Sequence, residues 1–147
     1  ANKIFAITPA NYLDYTDTYE YKKQIPATIK EREPSKLTIQ VGEDYTDPAR
    51  KGAVDYSAIR LGFKKGIPLT GWSMELQVNG MVLYKGPVEG KMIETSGPLV
   101  YFQTQIHDLA ALYHGTNTLR IVLEGLPEVS LEEVLVGVFY REHDLRL

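Results

Sequence analysis

The sequence predicts an all-β protein: an antiparallel, jelly-roll-like β-sandwich with an extended N-terminal arm and one short helix. Three observations carry this expectation. From Leu37 onward apolar residues recur at every second position, the period of a strand with one buried face. Gly, Pro and an Asn-Gly pair interrupt these runs at the spacing of turns. There is almost no helical pattern, and at least seven strands at this spacing joined by turns argue for an antiparallel sandwich.

The elements follow in order. Ile4, Phe5 and Ile7 form a short apolar segment closed by Pro9. Leu37, Ile39 and Val41 alternate with Thr38 and Gln40, and Gly42 ends the run. A strand over 56–63 places Ile59, Leu61 and Phe63 on one face. Trp72, Met74, Leu76 and Val78 alternate with Ser73, Glu75 and Gln77, which puts Trp72 in the core. Asn79-Gly80 then joins that strand to residues 81–84 as a two-residue hairpin. Residues 99–106 read as another strand. The one short helix is expected after Asp108 as N-cap, with Leu109 and Leu112 as its apolar edge and Gly115 closing it. Strands over 117–124 and 134–140 complete the sandwich.

Residues 1–35 differ from the rest, and the chain divides into an arm over 1–35 and a sandwich domain over 36–147. The arm gathers Tyr12, Tyr15, Tyr19 and Tyr21 ahead of Lys22 and Lys23, and is too broken by proline for a long helix. Tyrosine combines large area, few rotamers and a hydroxyl that tolerates a wet rim, so this cluster reads as a partner-binding arm. It packs either across its own sandwich as an added edge strand or on a neighbouring subunit.

Composition removes several chemistries. There is no Cys among the 147 residues, which excludes disulfides, thiolate metal sites and a cysteine nucleophile. The net charge of −3 gives no electrostatic case for nucleic acid, and the apolar run over 134–140 is too short for a membrane span. No signal-peptide segment opens the chain given, and Ala1 fits a chain trimmed of its initiator Met. Charge is uneven: residues 1–71 carry eleven Lys/Arg and nine Asp/Glu, residues 72–147 five and ten. That asymmetry suits association.

No catalytic set emerges. Gly71-Trp-Ser-Met-Glu75 lacks the closing Gly of a nucleophile elbow and falls within a strand. His107 and His114 are too far apart for a metal pair on one turn of helix. Asp14-Tyr-Thr-Asp17 and Asp44-Tyr-Thr-Asp47 have too few oxygen donors for a calcium loop. Glu132 and Glu133 are consecutive and on a regular strand face opposite sides. The expectation is no catalytic residue, no metal and no cofactor.

Residues 75–80 with their Asn-Gly turn, residues 106–123 with Gly115-Thr-Asn117-Thr-Leu119, and the strand over 134–138 resemble the galactose-binding-domain-like jelly roll over about residues 72–140. Asn79, Gly80, Gly115 and Asn117 carry this resemblance as fold-forming residues, with Gly115 and Asn117 shaping a turn that throws Leu119 into the core. The resemblance implies a carbohydrate-binding module or lectin-like domain whose partner is a glycan. The overall layout, a small cysteine-free β-protein with an N-terminal arm, resembles phage capsid decoration (cement) proteins. That resemblance implies a non-catalytic structural protein at the virion surface, whose partners are its own copies, as in a trimer, and a capsid shell. The second layout is the favoured expectation and the glycan module the alternative.

Overall fold

The structure, a computed structural model, describes residues 3–7, 24–41, 54–106 and 108–140. The described residues form ten strands: β1 (Lys3–Ile7), β2 (Ala27–Lys30), β3 (Ser35–Val41), β4 (Val54–Lys64), β5 (Trp72–Val78), β6 (Met81–Val88), β7 (Ile93–Ser96), β8 (Leu99–Ile106), β9 (Gly115–Glu124) and β10 (Glu128–Tyr140). They form two antiparallel sheets. The larger runs β1-β10-β4-β8-β7, with β2 also paired to β10, and the smaller runs β3-β9-β5-β6. From β2 to β6 the chain alternates between sheets until the β5–β6 hairpin, and β8 to β10 alternate again. This gives the paired quartets β2-β10-β4-β8 and β3-β9-β5-β6 of a jelly roll.

The alternation that marks the strands in sequence fills the space between the sheets. Trp72, Met74, Leu76 and Val78 of β5 are all buried, as are Leu119, Ile121 and Leu123 of β9. The larger sheet answers with Ile59, Leu61 and Phe63 of β4 and Val134, Val136 and Val138 of β10. Each such side chain contributes about 1.5–3 kcal/mol on leaving water. Phe63 meets Trp72 edge-on at a centroid distance of 6.3 Å, joining the two sheets, and the Trp72 indole N–H donates to the Pro68 carbonyl at 2.7 Å. Trp72 therefore belongs to the core and has its polar atom satisfied.

Three features differ from the sequence expectation. Residues 24–35, assigned to the arm, supply β2 and the turn into β3, with Ile25 and Ile29 buried in the core. β2 has only four residues, with Pro26 before it and Pro34 beyond its turn, too short for a period to show. The expected helix shrinks to a 3₁₀ turn, Leu109–Ala111. Asp108 caps it by accepting the Ala110 N–H at 2.9 Å, but Asn117 captures the N–H and C=O of Tyr113 and stops its growth. Finally, the pairing of β10 with β4 slips between Leu131 and Glu133. The extra residue breaks the alternation, so Glu132 lines a cleft with Lys64 and Leu99 while Glu133 pairs opposite Gly62. Tyr12, Tyr15, Tyr19, Tyr21, Lys22 and Lys23 lie outside the described residues.

Candidate functional site

Two polar constellations stand out, one inside and one on the surface. The inner one gathers the residues expected to shape the fold. Asn79 and Gly80 sit at φ +51° and +85°, the two left-handed positions of a type I′ hairpin turn. From that turn the Asn79 amide donates to the Ala111 carbonyl at 2.7 Å and to Asn117 Oδ1 at 2.8 Å, and accepts the Thr118 N–H at 2.9 Å. Asn117 is fully buried. Its Oδ1 also accepts the Tyr113 N–H at 2.7 Å, and its Nδ2 donates to the carbonyls of Tyr113 at 2.9 Å and Gly115 at 3.1 Å. Gly115 takes φ +105°, open to glycine. Every donor and acceptor of Asn117 is used, so this cluster ties the β5–β6 hairpin to the loop before β9 and leaves nothing for a ligand.

The surface constellation lies on the outer face of the larger sheet. Register aligns Glu133, Gly62, Tyr101 and Glu94 in one row across β10, β4, β8 and β7, and Leu135, Arg60 and Gln103 in the next. Gly62 is what lets the first row close. A Cβ there would stand 2.9 Å from Tyr101 Cε1 and 3.1 Å from Glu133 Cβ, so the phenol ring lies against bare backbone. The Arg60 guanidinium sits 3.8 Å from the centre of the same ring and 3.6 Å from the Glu94 carboxylate. The Tyr101 hydroxyl donates to Glu133. Burial, then the Glu133 charge and that hydrogen bond, push its pKa above the ordinary tyrosine value, and Arg60 opposes them.

Beside these rows a cleft of about 350 Å³ opens, lined by Arg60, Met92, Ile93, Glu94 and Gln103 among others. Its chemistry is that of planar, multiply hydrogen-bonding groups: a guanidinium, amides and a carboxylate. Tyr101 has its ring against Gly62 and Arg60 and its hydroxyl on Glu133, so it offers the cleft little stacking face. Sequence reasoning did not single out these residues. The available signal was Gly62, a glycine inside an otherwise apolar strand, which marks a close approach.

The remaining candidates are dispersed. His114 is exposed, and His107, the paired aspartates at 14, 17, 44 and 47, and His143 lie outside the described residues. Among the described residues no three His, Asp or Glu side chains group to hold a metal ion, and no helix is long and apolar enough to cross a membrane.

No family model and no curated protein matches the chain. Among solved structures it is similar to a BuGH86 variant in complex with neoagarooctaose, at 14% identity and a TM-score of 0.51, covering 99% of this chain and 20% of that one. Wild-type BuGH86 in complex with neoagarooctaose aligns at 16% identity and a TM-score of 0.48, over 78% of this chain and 17% of that one. The VP2 subviral particle protein of infectious bursal disease virus aligns at 11% identity and a TM-score of 0.36, over 95% of this chain and 33% of that one. The chain thus spans about a fifth of the length of the BuGH86 variant, and at these identities the likeness is one of fold: an antiparallel β-sandwich.

Proposed function

We propose that the protein is a non-catalytic assembly protein, a β-sandwich that associates with its own copies and with a protein surface, in the manner of a virion capsid decoration (cement) protein. The observation that carries this reading is β1. Five residues near the start of the given chain pair with β10 at the outer edge of the larger sheet, from Lys3↔Val138 to Ile7↔Val134. The chain next described after them is Gln24. Backbone pairing at a sheet edge is indifferent to which copy supplies the strand. The same β1 can therefore complete its own sheet or a neighbour's.

The test uses the register. The chain has no cysteine, so Ile4→Cys with Gly137→Cys places one pair of thiols at facing positions of β1 and β10. Oxidation of the native oligomer should yield covalently linked chains, and light scattering of the unmodified protein should give a multiple of the chain mass. An exclusively intramolecular bridge together with a monomer mass removes the reading.

A carbohydrate-binding or lectin-like module of the galactose-binding-like type is the second reading. It is favoured by the guanidinium and amides around the Arg60 cleft, groups that hydrogen-bond hydroxyls. The likeness in fold to part of a protein crystallised with neoagarooctaose supports the same reading. Saturable shifts of the Gln103 and Gln105 side-chain amides on titration with neoagaro-oligosaccharides would support it, and no shift with any glycan of a broad panel would end it.

A further inference from the structure

β8 outruns its neighbour. β7 pairs with it only from Ser96↔Leu99 to Ile93↔Phe102, and the chain before β7 turns aside in a 3₁₀ turn, Gly90–Met92. On the other side β4 stays paired through Ser57↔Ile106. Successive residues of an antiparallel strand point their N–H and C=O groups to opposite sides. Alternate residues between Gln103 and Ile106 therefore present a donor and an acceptor to the side β7 has left. Among the described residues no strand pairs there. The 350 Å³ cleft lies alongside this stretch.

Charge selects the occupant. Arg60 stands directly across from Gln103, and the next place in that row, beyond β8, is the unpaired edge. Glu94, one row along on β7, already brings its carboxylate to 3.6 Å from Arg60, so a carboxylate on a strand in that line reaches the guanidinium. The Glu94 side chain is 76% exposed, and Arg60 has donors for a second acid. On the inward side the cleft is bounded by Met92, Ile93 and Thr104, which suit a small apolar side chain.

We propose that the β8 edge over residues 103–106 is a strand-addition site for an extended acidic peptide of a partner protein. The peptide pairs with β8 in line with β7, seats an Asp or Glu on Arg60 and turns its alternate apolar residues onto Met92 and Ile93. Main-chain pairing supplies affinity and the Arg60 contact supplies selection. This interface is separate from β1 and does not depend on how copies of the chain associate.

Anisotropy of a fluorescein-labelled peptide, Thr-Val-Glu-Val-Glu-Val-Thr, with the full chain tests it. Three controls accompany it: the same peptide with Lys for Glu, the same peptide with alternate amides N-methylated, and the Arg60→Gln protein. Saturable binding is expected for the acidic peptide, weakened about tenfold or more by Lys or by Arg60→Gln, and abolished by N-methylation. Backbone amide shifts should centre on residues 103–106. Absence of saturable binding overturns the proposal, as does equal binding of the N-methylated peptide or equal binding by Arg60→Gln at an unchanged melting temperature. Neoagarooctaose shifting the same amides while the peptide shifts none also overturns it, in favour of a glycan.

Discussion

The side-chain amide of Gln24 pairs with the backbone of Thr38 as a strand residue would. Gln24 Oε1 accepts the Thr38 N–H at 2.6 Å, and Gln24 Nε2 donates to the Thr38 carbonyl at 2.9 Å. β3 is the edge strand of the smaller sheet, so one side chain closes a stretch of edge that would otherwise invite another chain. Gln24→Ala should cost about 1–2 kcal/mol, the loss of these two part-buried backbone hydrogen bonds and of a longer third, donated by Thr38 Oγ1 to Gln24 Oε1 at 3.3 Å. It should also increase concentration-dependent self-association, whereas Thr38→Ala, which loses only the hydroxyl bond and keeps the backbone pair, should cost less and leave association unchanged. Denaturant midpoints and light scattering across a concentration series check both outcomes. Equal association of the two variants would show that the edge needs no cap.

Asn117 should be among the least replaceable polar residues. Its Oδ1 and Nδ2 make four hydrogen bonds with Asn79, Tyr113 and Gly115 while fully buried. Asn117→Ala leaves the Tyr113 N–H and C=O without those partners and should cost ~2–4 kcal/mol. Asn79→Ala should cost less, because its turn is partly exposed and the amide makes fewer bonds. The two changes share one bond, so in a double-mutant cycle their sum should exceed the cost of the double variant by about 0.5–2 kcal/mol. Additive costs would mean that Asn79 and Asn117 act independently.

Those two residues also mark how far the sequence is legible. The Asn79-Gly80 turn is local, since two adjacent residues that tolerate positive φ suffice to specify it, and the strands over 72–78 and 99–106 end where their alternation ends. β2 and β7 have four residues each and too little pattern to stand out. At Glu132 the alternation itself misleads, because the bulge adds a residue that period-two counting cannot anticipate. The outer-face group is least legible. Arg60, Tyr101 and Glu133 are remote in sequence and meet only through the cross-strand register of β10, β4 and β8, which turn chemistry and core packing fix together.

Gly62→Ala tests that register directly. Gly62 occupies strand β4 without a left-handed φ, so alanine gains no backbone strain and would ordinarily be welcome in place of glycine. Here its Cβ would meet Tyr101 Cε1 at 2.9 Å and both Glu133 Cβ and Leu99 Cδ1 at 3.1 Å. The phenol must lift away from the sheet, and its contact with Arg60 must loosen with it. A destabilisation of about 1–3 kcal/mol is expected. In the Tyr101→Phe background much of that cost should persist, since the clash is with the ring, whereas Tyr101→Ala should relieve it. Thermal unfolding of wild type, Tyr101→Phe and Tyr101→Ala, each with and without Gly62→Ala, decides the matter, and a Gly62→Ala variant more stable than wild type would contradict the close approach.

Tyr101 should also add to the fall of stability with rising pH above the ordinary tyrosine range. Burial raises its pKa above the ordinary value of 10.0, and the Glu133 charge and hydrogen bond raise it further. The folded state therefore holds the phenolic proton more tightly than the unfolded chain does. For a group shifted in this direction the stabilisation is fully present below pH 10 and is lost as pH rises through the folded-state pKa. Tyr101→Phe has no proton to lose and should show a shallower fall in stability above pH 10, though it forfeits the Glu133 hydrogen bond at neutral pH. Glu133→Gln should lower the Tyr101 pKa, because it removes the nearby negative charge and leaves a neutral acceptor. Phenolate absorbance during a pH titration of wild type, Tyr101→Phe and Glu133→Gln reads both effects. If replacing Tyr101 removes a transition no higher than that of a free tyrosine, Glu133 and the surrounding sheet do not hold that proton.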